Sequence, residues 1–435
     1  MTVRPADRRF GGVASKRALK LLEFLGMNPK RDLGTAGIVA LALVALTLKL
    51  AIAYNTIGTN DAVFFYGFAK VLSQHGLEFT YQHSRYFNHP PLTAYYLRGI
   101  LALTEQPWCQ AAGIHFPFLL RFPGIIADFA VVLVLLKMVK TGVFIPTWAL
   151  ALFAISPVSL MVSGFHGNTD PVMVLFLVCA AFMCLRGKAA LCGLFFALSC
   201  QIKVIPLLLL PVFFFFWVAR GSGLRFSAVF TTCCVVLWAQ PIFQFPILFA
   251  KNVLLYGSYW GEWGITYCLR LIRWQSFNGT GPFDLPVPAA ATALLLKVAI
   301  VAAVVAIAFR RRKLNGRGLI DSVAYAWIIF FLLSPGVCVQ YMVWLAPFIL
   351  VLSSSLYLWL TVSSSIFLFV VYTAIARGFP WFVAISDGRD PALATWSLLP
   401  WFVLVGGSIM LWKKATEGRS HFNAVDVETL RTESA

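Results

Sequence analysis

The chain has 435 residues, of which 60% are hydrophobic and only 12% charged, and it carries a formal net charge of +18. A soluble fold cannot hide that much apolar surface. Repeated apolar runs near the roughly 20 residues needed to cross a bilayer point instead to an all-α polytopic membrane protein.

In chain order, a basic segment over 1–35 comes first, without the small-residue cleavage site of a signal peptide. About twelve spans are predicted within 36–412, at 36–55, 119–139, 144–162, 170–186, 189–202, 204–219, 225–247, 287–308, 319–335, 341–354, 357–376 and 394–412, and a tail over 413–435 follows. The short runs between 189 and 219 fit a broken pair lining a cavity. Connections on the N-terminal side, with both termini, hold 23 of the 35 basic residues, Arg310, Arg311 and Arg312 among them. Both termini are therefore expected in the cytoplasm. The charge reads as an orientation signal with affinity for anionic membrane lipids, and no nucleic-acid partner is expected.

The opposite side carries two long loops, 56–118 and 248–286, and two shorter ones near 163–169 and 377–393. Long loops without repeats usually carry function. The first holds the run "AVFFYGFAKVLSQHGLEF", predicted as an amphipathic helix lying along the membrane. The second, "YGSYWGEWGITYCLRLIRWQSF", is aromatic; its rings suit the membrane interface and also stack on sugar faces, the interface being the plainer reading. The nine cysteines form no C-x-x-C pair and read as packing residues. Cys109 and Cys268 fall outside the membrane, which leaves one bridge open.

Acids on that side are few. Asp61, in "YNTIGTNDAVFFYGFAKVL", directly follows the first span. A carboxylate there reaches the headgroup of a lipid substrate, and apolar surroundings are expected to raise its basicity. The same letters also read as a helix cap, with Asn60 or Asp61 ahead of the helix. In "SRYFNHPPLTAYYLRGI" the double proline starts a helix and sets the residues before it extended, presenting Arg85, Asn88 and His89. Arg85 suits a phosphate and His89 a phosphate or sugar, against the plainer reading of a rigid turn with solvated polar residues.

These segments resemble the GT-C membrane glycosyltransferases, which take their sugars from polyprenyl-phosphate donors. "NHPPLTAYYL" is similar to the segment closing the first loop of dolichyl-phosphate-glucose-dependent glucosyltransferases, with Asn88–His89 where Asp–Tyr is usual. "LRFPGIIADFAVVLVLL", "SPVSLMVSGFHGNTDPVMVLFLV", "GLFFALSCQIKVIPLLLLP" and "LLSPGVCVQYMVWLAPFIL" follow the order seen in bacterial polyprenyl-phosphate mannosyltransferases. The resemblance covers most of 36–354. It implies a GT-C-like fold in which Asp61 is the catalytic base of an inverting transfer. A hexose-type sugar would pass from a polyprenyl-phosphate donor to a lipid or lipid-linked glycan acceptor. The reaction would face the extracytoplasmic side of a bacterial plasma membrane or, alternatively, lie in an endoplasmic reticulum.

Carried over residue by residue, the resemblance also marks His166 and Asn168 in "HGNTDP", with Asp170, as facing the same cavity; Asn168 or Asp170 reads equally as a helix cap. Lys203 in "CQIKVIP" needs a compensating partner inside the membrane, either a lipid phosphate or water reached by snorkelling. Gln340 and Tyr341 in "SPGVCVQYMVW" fall at an outer helix end, where some relatives have a histidine that this chain lacks. Arg121 and Asp128 share a helix face and read as packing or positioning residues. The leaving group is already a phosphate ester anion and the first loop has no D-x-D pair, so no metal or other cofactor is expected. The rival class is a secondary transporter or flippase of lipid-linked sugars, with Lys49, Lys203 and Lys297 as pathway charges. What separates the two is whether Asp61 and Arg85 converge with Lys203.

Overall fold

The computed structural model describes residues 33–84, 86–255, 261–272, 285–385 and 391–413. Among the described residues, seven helices are long and apolar enough to cross a membrane: Gly34–Asn55, Phe116–Lys140, Thr147–His166, Val287–Arg311, Gly316–Leu333, Ser354–Ile375 and Leu393–Lys413. Five shorter apolar helices, Asp170–Leu185, Ala189–Ile202, Ile205–Val218, Gly223–Leu237 and Val339–Leu352, occupy the other predicted runs. One of those runs is shorter than expected. The helix predicted over 225–247 ends at Leu237, because the chain turns at Trp238 and continues only as Ala239–Gln244 and Pro246–Phe249. Pro241 and Pro246 supply no amide hydrogen to carry a helix through.

The first long connection is built as its sequence suggests. Asn60–His83 is helical, and its buried residues Ala62, Phe65, Ala69 and Leu72 recur at helical spacing along one face. Gly76, at φ 80°, breaks that helix near its end. Pro90 is extended (φ −62°, ψ 163°) and precedes the helix Pro91–Thr104, as the double proline requires. Between Ala189–Ile202 and the 3₁₀ turn Ile205–Leu209, Lys203 alone is extended (φ −143°, ψ 147°), so the expected break falls on the lysine.

Two expectations for the aromatic loop do not hold among the described residues. Trp263 is fully buried, with its Nε1–H donating to the Phe331 carbonyl at 2.6 Å, and Tyr267 is buried beside it. These two rings belong to the core and serve neither the membrane interface nor a sugar platform. Tyr256, Tyr259, Trp260 and Trp274 lie outside the described residues. Cys109 and Cys268 are free thiols, so the bridge left open is not formed.

A two-residue parallel pairing joins the chain after the first helix to the segment after Ser354–Ile375: Gly58–Thr59 lies against Val383–Ala384, and the Ile57 amide donates to Phe382 at 2.9 Å. Gly58 has φ 100°, and a Cβ there would sit 2.6 Å from the Phe165 carbonyl oxygen. Gly58→Ala is expected to cost about 1–3 kcal/mol from backbone strain and this contact. A lowered melting midpoint in detergent would register it; an unchanged midpoint would show that the crossing is loose.

Candidate functional site

Four chain segments meet at the end of the bundle where the first helix finishes. Thr59 is the N-cap of Asn60–His83; its hydroxyl accepts the Asp61 amide at 3.4 Å and donates to the His166 carbonyl at 2.8 Å. The cap is therefore Thr59, and neither Asn60 nor Asp61 fills that role. Asp61 sits in the first helical turn, where the helix dipole favours an anion.

Its carboxylate is held from three sides at one oxygen. Asn168 Nδ2 donates to Oδ2 at 2.5 Å, His166 Nε2 at 3.1 Å and Gln340 Nε2 at 3.2 Å. Oδ1 receives no donor among the described residues. All three donors are buried, whereas the Asp61 side chain keeps 29% exposure and so remains reachable. Behind His166, the Tyr372 hydroxyl lies 2.9 Å from Nδ1. The Tyr372 hydroxyl thus holds the imidazole from behind, with Nε2 turned to the Asp61 carboxylate, which can only accept from it.

Local structure explains how His166 and Asn168 arrive there. The helix begun at Pro157 widens into a π-turn over Leu160–His166 and is closed by Gly167 at φ 91°. That sharp reversal carries Asn168 to the carboxylate and delivers the chain into Asp170–Leu185. Gln340 comes from the 3₁₀ turn Val339–Val343.

Burial by itself would lift the Asp61 carboxyl. His166, Lys203 and Asn168 together outweigh it and hold the group below the ordinary carboxyl value. This reverses the expected raised basicity: the site is apolar in its helices but polar at the carboxylate itself. Asp61 is a weaker base than expected, and it stays ionised across the neutral range.

Lys203 forms an adjoining cluster. Its Nζ pairs with Asp170 Oδ2 at 2.9 Å, and the fully buried Asp170 also accepts Trp344 Nε1–H at 2.5 Å. Tyr341 stacks on Trp344 with ring centroids 3.7 Å apart, and the lysine ammonium lies 5.1 Å and 5.6 Å from the two ring centroids. Asp170 is thus the lysine's counter-ion and not a helix cap, since Thr169 holds the cap position.

His89 is also buried, with its ring 4.9 Å from Phe65 and 5.7 Å from Phe87, and its Nδ1 has no hydrogen-bond partner among the described residues. Burial and the nearby Lys203 push its pKa down to about 3. It is a neutral imidazole and so, in this state, adds no positive charge for a phosphate. Arg85 lies outside the described residues.

The structure therefore gathers Asp61, His166, Asn168 and Gln340 into one hydrogen-bonded group, with Lys203 and Tyr341 alongside. Sequence reasoning passed over Thr59, Tyr372 and Trp344. For Tyr372 the available signal was a polar ring near the end of an otherwise apolar helix; for Thr59 it was a hydroxyl two residues before the acid. As for the rival pathway charges, Lys49 is buried and paired with Asp128, and Lys297 is on an exposed helix face. No protein-family model matches the chain, and no curated protein matches it.

Proposed function

We propose that the chain is an inverting, GT-C-type glycosyltransferase that moves a hexose-type sugar from a polyprenyl-phosphate donor to a lipid or lipid-linked glycan. In this reading the five shorter apolar helices complete twelve spans. Both termini are cytoplasmic, and the Asp61 end of the bundle faces the extracytoplasmic side. The observation that carries the reading is the Asp61 carboxylate itself. It stands where the first span ends, with Oδ2 anchored by three donors and Oδ1 receiving none among the described residues.

In the proposed step, Asp61 Oδ1 takes the proton of an acceptor hydroxyl as its oxygen bonds to the anomeric carbon. The bond from that carbon to the phosphate oxygen breaks on the opposite face, and polyprenyl phosphate leaves with the electron pair. Anchoring one carboxylate oxygen fixes the direction of the other, so the base is oriented before substrate arrives. Lys203 is one candidate to meet the developing phosphate charge, moderated by Asp170; Arg85 is another from its place in the sequence. A lipid substrate is further supported by an apolar groove of about 440 Å³ lined by Leu160, Met161, Ile366, Phe369, Phe379 and Trp381. Trp381 packs on Tyr372 at 5.4 Å, one ring away from His166.

Mass spectrometry of lipid-linked glycans from cells with and without the protein tests the reading. A transferase predicts a lipid lacking one sugar in the deleted strain. Unchanged species that only accumulate on one side of the membrane would favour the flippase instead.

A further inference from the structure

The long helix Phe116–Lys140 presents two charged side chains to the π-turn that carries His166. Arg121, fully buried, donates to the carbonyls of Gly164 and Phe165, each at 3.0 Å. It also donates to the carbonyls of Ala53 at 3.0 Å and Thr56 at 2.5 Å, at the end of the first helix. These are carbonyls that a helix end leaves without an internal partner. Seven residues on, on the same helix face, Asp128 Oδ2 accepts the hydroxyls of Ser159 and Ser163, both at 2.5 Å. Lys49 of the first helix closes the cluster, with Nζ 2.6 Å from Asp128 Oδ2 and 2.5 Å from Ser159 Oγ. Arg121 thus grips the turn by its backbone, and Asp128 grips it by two hydroxyls about two helical turns away.

Such a charge pair is costly inside a membrane, and a buried pair is a poor source of stability; its best-attested use is to fix register. The Leu160–His166 π-turn holds one residue more than an α-helical turn, so contacts from outside the helix are needed to fix its register. Slipping by one residue rotates the following side chains by about 100° and would carry His166 off Asp61.

We propose that Asp128 and Lys49 are positioning residues. Their ion pair, cross-linked through Ser159 and Ser163, holds the Leu160–His166 turn in the register that brings His166 and Asn168 onto the Asp61 carboxylate. The catalytic consequence rests on Asp61 being the base; the structural claim does not. Among the described residues, the titratable groups facing Asp61 are His166, Lys203, His89, Cys338 and Tyr372, with Asp170 behind Lys203. Of these, the turn carries only His166. Loss of register therefore removes the His166 contact, the strongest influence holding the Asp61 proton off, together with the Asn168 hydrogen bond, and the carboxyl shifts upward.

The test uses full-length protein in detergent, with Lys49→Met and Asp128→Leu combined so that no charge is left alone. Asp61 protonation is read without any enzymatic assay, by mass spectrometry of carbodiimide labelling, which takes protonated carboxyls, across a pH series. The labelling midpoint is expected to rise by about one pH unit or more relative to wild type. In membranes supplied separately with farnesyl-phosphate mannose and farnesyl-phosphate glucose, kcat is expected to fall about tenfold or more while KM moves less than about twofold. A folded double variant with a wild-type labelling midpoint overturns the proposal. Should that variant not fold, Ser159→Ala combined with Ser163→Ala, which leaves the ion pair whole, is read in the same way. Full activity in Asp61→Asn would defeat the transferase reading, and the labelling midpoint would still decide whether the ion pair sets the register.

Discussion

Asp61→Asn is expected to lower sugar transfer by about 10²–10⁴-fold, the usual contribution of a positioned general base. The substitution preserves size, and the amide oxygen can still accept from His166, Asn168 and Gln340, so membrane levels of the protein should hold. What is lost is the open oxygen able to take a proton. The measurement compares lipid-linked glycans in deleted cells restored with wild-type or Asp61→Asn protein at equal abundance. Full restoration by Asp61→Asn would reduce the carboxylate to a structural element and move the chemistry elsewhere. The pH profile gives the same claim a second face. In the proposed mechanism the base acts as the carboxylate, so activity should fall on the acid side as pH drops through its pKa. Because His166, Lys203 and Asn168 hold that value below the ordinary carboxyl range, the acid limb of the wild type should lie correspondingly low. His166→Ala removes the largest of these influences and should move the limb to higher pH.

The second large effect concerns Lys203 and Asp170. Asp170 is fully buried and Lys203 nearly so, and removing the acid leaves an ammonium without its counter-ion. Asp170→Ala is expected to destabilise the protein by about 3–5 kcal/mol, the cost typical of breaking one side of a buried pair. Combining Asp170→Leu with Lys203→Met removes both charges and should recover most of the melting midpoint in detergent. Activity then separates two roles for the lysine. A folded double variant that transfers no sugar assigns Lys203 to the substrate phosphate. One that transfers normally leaves the pair with a purely structural part, and the leaving group must then be met by other residues.

Several parts of the site were legible in the residues alone because their causes are local. Asp61 could be placed at the mouth of a helix because an apolar run ends six residues earlier. The extended residues before Pro91–Thr104 follow from the two prolines, and the break at Lys203 follows from a charge and Pro206 interrupting an apolar stretch. Other features were not legible, and for different reasons. By its residues "HGNTDP" reads as an ordinary turn with a cap, the resemblance alone turning it toward a cavity, and nothing in it reveals that its acid is reserved for a lysine 33 residues away. The expectation of a raised basicity at Asp61 failed because hydropathy averages over a helix, whereas a pKa responds to the few polar atoms within reach. Trp263 and Tyr267 were assigned to the interface because loop aromatics in membrane proteins often sit there; packing against Phe331 instead took Trp263 into the core.

The sequence by itself determined an all-helical chain whose apolar runs suit a membrane, the places where those helices start and break, and the position of the acid. Each depends on residues within one or two turns: the length of an apolar run, a proline's missing amide, the unmet cost of a charge. Only the tertiary structure decided which groups surround that acid. His166, Asn168 and Gln340 lie 105, 107 and 279 residues from Asp61 along the chain. No local periodicity links positions so far apart. Their convergence depends on how the helices stack and on the register of one π-turn, which Arg121, Asp128 and Lys49 hold from neighbouring helices.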